Sequence, residues 1–175
     1  MKVPNFIFLL FFSFNYVYSQ TNEIILGKRF ENFKFDETTY RHVKKHFKGK
    51  NKTIEKGIGS VRTVNNCYSQ KYITITYYDI GLAFEFKQNI KTKKYLLNTI
   101  TLDSLSKDYI NYSLMVNSSK TNKVVQTFGP PKTITYNNEM IFGTRGIIFT
   151  FDKDSVIKKI VINSNKIINQ TESGF

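Results

Sequence analysis

Two histidines, His42 and His46, stand four residues apart in Phe35–Phe47, a stretch with helical apolar spacing. One turn apart on a helix, two imidazoles can converge on a single metal ion. A zinc-protease helix needs glutamate directly after the first histidine, and Val43 occupies that place. Asp36 and Glu37 lie nearby, but no spacing rule joins them to the pair. Cys67 is the only cysteine, and the sequence around it supplies neither the base nor the orienting group that a nucleophilic thiol requires. The acids Asp79, Glu85, Asp103, Asp108 and Glu139 are scattered, while Asp152 and Asp154 flank a tight turn, where aspartate serves turn geometry. Gly57-Ile58-Gly59 lacks the following Gly-Lys-Ser/Thr of a phosphate loop, and no serine sits in a Gly-x-Ser-x-Gly setting. No catalytic residue, metal ligand or cofactor is therefore assigned. The enzymatic alternative is a small periplasmic hydrolase or metal-dependent enzyme built on His42 and His46.

The elements that would position these residues begin after an apolar leader. Met1–Asn5 carries one lysine and is followed by Phe6-Ile7-Phe8-Leu9-Leu10-Phe11-Phe12, too short a run to span a bilayer as a helix. Val17-Tyr18-Ser19 suits signal-peptide cleavage, so residues 1–19 are expected to be a signal peptide and the mature chain to start at Gln20. The product is expected to be exported, periplasmic or extracellular, and not membrane-spanning. A single cysteine excludes an internal disulfide framework and a cysteine-based zinc finger. A hydrophobic fraction of 41% is too high for a disordered chain.

The remainder carries the same grammar twice. Phe35–Phe47, with Asp36 as expected cap and Gly49 as stop, aligns at an offset of 81 with Val116–Phe128, capped by Asn117 or Ser118 and stopped by Gly129-Pro130-Pro131. Val43 then matches Val124, and Phe47 matches Phe128. Asp79–Phe86 aligns with Thr144–Phe151 at an offset of 65: a glycine turn, then an alternating strand with Leu82/Phe84/Phe86 or Ile147/Phe149/Phe151 on one side. Ile100 and Leu102 match Ile160 and Ile162 at an offset of 60. The falling offset places extra residues in the first half, mainly 50–70, expected as an extended loop or irregular strand. The predicted fold is α+β, with two related units, each a short helix packed on an antiparallel β-meander: residues 20–103 and 104–162, followed by a polar tail, 163–175.

Residues 117–131, with Gly146–Asp152 and Val156–Ile162, resemble a repeat of the beta-lactamase inhibitor protein type, a fold that small outer-membrane assembly lipoproteins also use. The resemblance covers 114–162 well and 33–102 loosely. It departs in having no disulfide pair, no lipidation cysteine and one helix per half. It implies a protein that binds other proteins, and a shared fold carries over no particular partner.

The formal charge is +13, and cleavage would remove only Lys2, leaving +12. Only Arg29, Arg41, Arg62 and Arg145 are arginines among 26 basic residues, whereas specific phosphate and base recognition favours the bidentate guanidinium. No specific nucleic-acid partner is expected. The clusters Lys44–Lys52 and Lys91–Lys94 form local fields suited to an acidic protein or an anionic envelope component. Four Asn-x-Ser/Thr sequons, at Asn51, Asn111, Asn117 and Asn169, matter only in a host that glycosylates.

The predicted partner-binding surface is the sheet face turned away from the helices. Alternation places Tyr72, Thr74, Thr76, Tyr78, Glu85, Lys87, Arg145, Ile148 and Thr150 there. Tyrosines among small hydroxyl side chains bring contact area with a polar tip, although Thr/Tyr cross-strand pairing alone would give the same pattern.

Overall fold

The computed structural model describes residues 24–25, 29–62, 67–106, 116, 119–143 and 146–164. A small antiparallel ribbon comes first: β1 (Ile24–Ile25), β2 (Arg29–Phe30) and β3 (Phe33–Lys34). Helix α1 (Tyr40–His46) leads into β4 (Lys52–Arg62), β5 (Cys67–Tyr77), β6 (Leu82–Gln88) and β7 (Tyr95–Leu102). Helix α2 (Thr121–Phe128) leads into β8 (Thr133–Ile134), β9 (Glu139–Phe142), β10 (Ile147–Phe151) and β11 (Ile157–Asn163). The eight later strands form one antiparallel sheet in the order β4-β5-β6-β7-β11-β10-β9-β8. The last strands of the two meanders pair with each other, Ile160 opposite Leu102 and Ile162 opposite Ile100, so the seam lies mid-sheet.

One face of this sheet is apolar, as period-two alternation requires. Ile75, Tyr77, Phe84, Phe86, Leu97, Ile100, Leu102, Phe149, Ile157 and Ile162 are all fully buried. Both helices lie on that face. Phe47 of the first helical turn-out reaches Tyr77 at 4.9 Å and Phe84 at 5.6 Å between ring centroids, and Phe128 reaches Phe149 at 5.3 Å and Phe142 at 5.6 Å. Each such ring pair adds about 0.5–1.5 kcal/mol beyond the area it buries. The N-terminal ribbon thickens the first half by laying Phe30 and Phe33 against Phe84. Tyr77, buried beneath α1, has its phenol pKa raised by desolvation.

The same backbone hydrogen bonds occur in both halves. Leu97 N donates to Thr38 O at 2.8 Å, and Ile157 N donates to Ser119 O at 2.9 Å. Isolated bridges join Thr39 to Leu96 and Lys120 to Val156. Asp103 N donates to Gly81 O at 2.9 Å, and Asn163 N to Gly146 O at 2.7 Å. Both glycines have positive φ, 64° and 67°, a turn geometry that side chains with a Cβ resist. At Gly81 a Cβ would also strike the Asp103 carboxylate.

Three expectations change. Asp36 does not cap α1. Its φ is 62°, its N–H donates to Leu97 O, and its carboxylate accepts a 2.5 Å hydrogen bond from Ser164 Oγ. The helix starts after Thr39, and α2 after Lys120, neither with a side-chain cap bond. These are the residues bridged to the sheet, so the helices begin where the chain peels away from it. Asn117 and Ser118 lie outside the described residues. Second, most of residues 50–70 is neither loop nor irregular strand: β4 and β5 pair without a register shift from Lys52/Tyr77 to Arg62/Cys67. Third, the expected tail at 163 starts too early. Asn163 ends β11, and Ser164 is 1% exposed and donates its N–H to Asn98 O. Residues 165–175 and residues 1–19, the expected signal peptide, lie outside the described residues.

Candidate functional site

Cross-strand partners share a face, so the pairing register maps the surface opposite the helices. One row crosses all eight strands: Thr53, Thr76, Ala83, Thr101, Val161, Ile148, Ile141 and Thr133. At strand spacing this row spans about 34 Å. Its members are small or β-branched, and none is fully buried. No described element covers this face; α1, α2 and the N-terminal aromatics all pack on the other side.

Most expected site residues fall on this surface. Thr76 and Ile148 lie in the transverse row, joined through Ala83, Thr101 and Val161. Thr74 sits between Glu55 and Glu85 in the neighbouring row. Tyr72 lies one row further out, where its ring packs over Gly57 and leaves no room for a side chain there. Such a tyrosine shields a strand glycine that has no side chain to pack. Tyr78 has left the strand for a short 3-10 turn, Tyr78–Ile80, but its hydroxyl still meets Thr53 Oγ1 at 2.7 Å. It is 53% exposed. Thr150 lies between Lys159 and Glu139, and its buried Oγ1 has no hydrogen-bond partner among the described residues. Arg145 lies outside the described residues.

Glu85 and Lys87 belong to a polar chain that crosses the seam. Lys87 Nζ stands 3.8 Å from Glu85 Oε1, which accepts a 3.2 Å hydrogen bond from Asn98 Nδ2. Asn98 also donates to Thr99 Oγ1 at 2.8 Å, and Thr99 donates onward to Asn163 Oδ1 at 3.0 Å. A register shift between Glu85 and Phe86 places Asn98 as the extra residue of a β-bulge, which brings its amide within reach of both neighbours. The alternation of Thr99 and Thr101 with Ile100 and Leu102 signals this face in the sequence. The bulge that adds Asn98 leaves no such periodic signal.

The histidines stand on the opposite side of the sheet. Both rings stand nearly perpendicular to Phe33, with centroids 5.8 Å away for His42 and 5.0 Å for His46. His46 Nε2 lies 3.7 Å from the Glu31 carboxylate, whose pKa is raised by desolvation. Among the described residues, no three His, Cys, Asp or Glu side chains gather closely enough to hold a metal ion. Cys67 is an exposed free thiol at the far end of the β4–β5 hairpin. Asp152 serves its turn: its Oδ1 accepts from Asp154 N at 2.9 Å and Val156 N at 3.0 Å. Asn51, the described sequon residue, is exposed, and its side-chain amide donates to Asp79 Oδ1 at 3.3 Å.

No helix among the described residues is long and apolar enough to cross a membrane. Compared with known proteins, the chain matches no protein-family model, no curated protein and no solved structure.

Proposed function

We propose that the chain is an exported, non-enzymatic binding protein that docks a protein or envelope partner through the helix-free sheet face, in an inhibitor-, immunity- or assembly-type role. The observation that carries this reading is the uninterrupted row from Thr53 to Thr133, a broad surface of small and β-branched side chains flanked by Tyr72 and Tyr78. Contact area of this kind, with tyrosines at its margin, suits association more than the convergent groups of a catalytic cleft. Lysines at 44, 45, 48 and 50, and at 91, 93 and 94, are exposed and speed encounter with an anionic partner.

The same reading takes the chain as two related units, residues 20–103 and 104–162. The paired hydrogen bonds of Thr38 and Ser119, and of Gly81 and Gly146, support a common ancestor for the two halves. The resemblance to the beta-lactamase inhibitor protein type agrees with a binding role but names no partner.

The test is affinity capture from the native surroundings with three versions of the chain. The Thr76→Arg/Thr101→Arg variant places two bulky charges in the transverse row and is expected to lose the captured protein. Lys123→Glu, on the exposed side of α2, is expected to retain it. Capture unaffected by the first variant, in a chain that folds normally by circular dichroism, would refute the sheet-face reading.

A further inference from the structure

The two ends of the sheet are unlike. β8 has 2 residues, whereas β4 has 11, and among the described residues no strand pairs with the outer edge of β4. An open edge of that length offers unpaired N–H and C=O groups along about 33 Å. Beyond Tyr72, opposite Lys87, the hairpin also outruns β6 and projects as a two-stranded arm with no third strand beside it among the described residues.

The side chains along this edge follow a pattern. Lys52 lies opposite Tyr77, Ile54 opposite Ile75 and Lys56 opposite Ile73, so these residues, with Ile58, stand on the helix side of the sheet. Ile54 is 39% exposed and Ile58 66%. The helix side of the edge therefore reads basic, apolar, basic, apolar at every second residue. Lys44, Lys45, Lys48 and Lys50, exposed at the end of α1 and in the turn after it, add positive charge beside it. Inward lysines by themselves protect an edge from indiscriminate pairing. They reject a second copy for the same reason: each β4–β5 hairpin has Lys52, Lys56, Arg62 and Lys71 against one acid, Glu55, and two hairpins would set like charges side by side.

We propose that β4 is a strand-addition site for an extended acidic segment of a partner protein. Backbone pairing along 52–62 supplies the affinity. Carboxylates at every fourth residue of the segment meet Lys52 and Lys56, and apolar residues between them cover Ile54 and Ile58. This site is an edge, separate from the sheet face, and stands whether or not that face binds a partner.

The probe is a fluorescein-labelled peptide, Glu-Thr-Val-Thr-Glu-Thr-Val-Thr-Glu, titrated with the full chain by fluorescence anisotropy. Hydrogen exchange locates the protected amides. Binding is expected to protect residues 52–62. It is expected to weaken at least tenfold when lysine replaces each glutamate of the probe, or when proline replaces each threonine and each valine, which keeps the charge but removes every N–H between the glutamates. The Lys52→Glu/Lys56→Glu variant is expected to lose at least tenfold, while Lys153→Glu/Lys158→Glu, an equal charge change at exposed positions of the second half, loses less than threefold. Equal binding of the proline peptide would mean charge attraction alone and would overturn the proposal. So would no binding, or protection confined to other strands. A dimer protected along β4 in the free chain, or β4 protection that disappears on removing residues 165–175, would overturn it too, because the edge would already be filled.

Discussion

The half under α1 and the half under α2 use the same hydrogen bonds near the seam and differ towards the outer edges. At the seam, β7 and β11 are flanked on both sides, and their inner residues Ile100, Leu102, Ile160 and Ile162 are buried. A shift by one residue there would turn every inner side chain to the wrong face. At the edges nothing imposes that constraint, and the first half has a hairpin of two 11-residue strands where the second has strands of 2 and 4 residues. The first half also carries the aromatic ribbon of Phe30 and Phe33 over Phe84. The lesson is mechanical: a sheet closed in its middle tolerates variation in length and chemistry at its rim.

The largest expected effect tests the shared centre. Phe84→Ala and Phe149→Ala remove equivalent, fully buried rings, and each is expected to cost about 3–5 kcal/mol in urea unfolding. Phe84 should cost more, because Phe30, Phe33, Phe47 and Tyr77 all meet its ring. A single cooperative transition is expected for both variants, since one sheet joins the halves. Two transitions, each sensitive to only one substitution, would break the picture of a joined centre.

A smaller loss is expected at the latch between the ends of the described fold. Ser164→Ala leaves the Asp36 carboxylate without that hydroxyl and should cost about 1–3 kcal/mol. A double-mutant cycle with Asp36→Ala should return a coupling energy, whereas additivity would show that the two side chains act independently.

The arm should matter less to stability. Replacing residues 58–71 by Asn-Gly would join Gly57 to its cross-strand partner Tyr72 and keep the Tyr72 ring over Gly57. Stability is expected to change by less than about 1 kcal/mol, because a free two-stranded ribbon contributes little by itself. A large loss would show that the arm supports the sheet instead of projecting from it.

The smallest effect concerns Glu31, in the turn between β2 and β3. Burial raises its carboxyl pKa, so the folded chain holds the proton more tightly than the unfolded chain does. Stability from this group is full below the ordinary carboxylate pKa and falls as pH rises through the raised value. Glu31→Gln should therefore stabilise the chain at neutral pH, by less than about 1 kcal/mol, and have no such effect in acid. Thermal unfolding at two pH values distinguishes this from an effect of equal size at both.

Much of the sheet was legible because alternation is a local property. Leu82, Phe84 and Phe86, and their counterparts Ile147, Phe149 and Phe151, declare their face without reference to anything distant. The outer-face residues follow from the same alternation by subtraction, which is how Thr74 and Thr76 were placed. Asp36 misled because its sequence context is that of a helix cap, while its partner Ser164 lies 128 residues away. The regular form of β4 and of the first residues of β5 was missed because Gly57, Gly59 and a run of polar residues obscure the alternation, and it rests on the pairing of the two strands.

By itself, the sequence determined the α+β class, the apolar face of each central strand, the glycine turns at 81 and 146, and the excess of lysine. Each is written in neighbouring residues, through periodicity, positive-φ turns or charge. The tertiary structure alone decided that the two meanders join through β7 and β11, that the helices begin after Thr39 and Lys120, and that β4 forms a long open edge among the described residues. Those outcomes depend on backbone hydrogen bonds between segments far apart in the chain, and backbone groups are chemically alike along its length apart from proline.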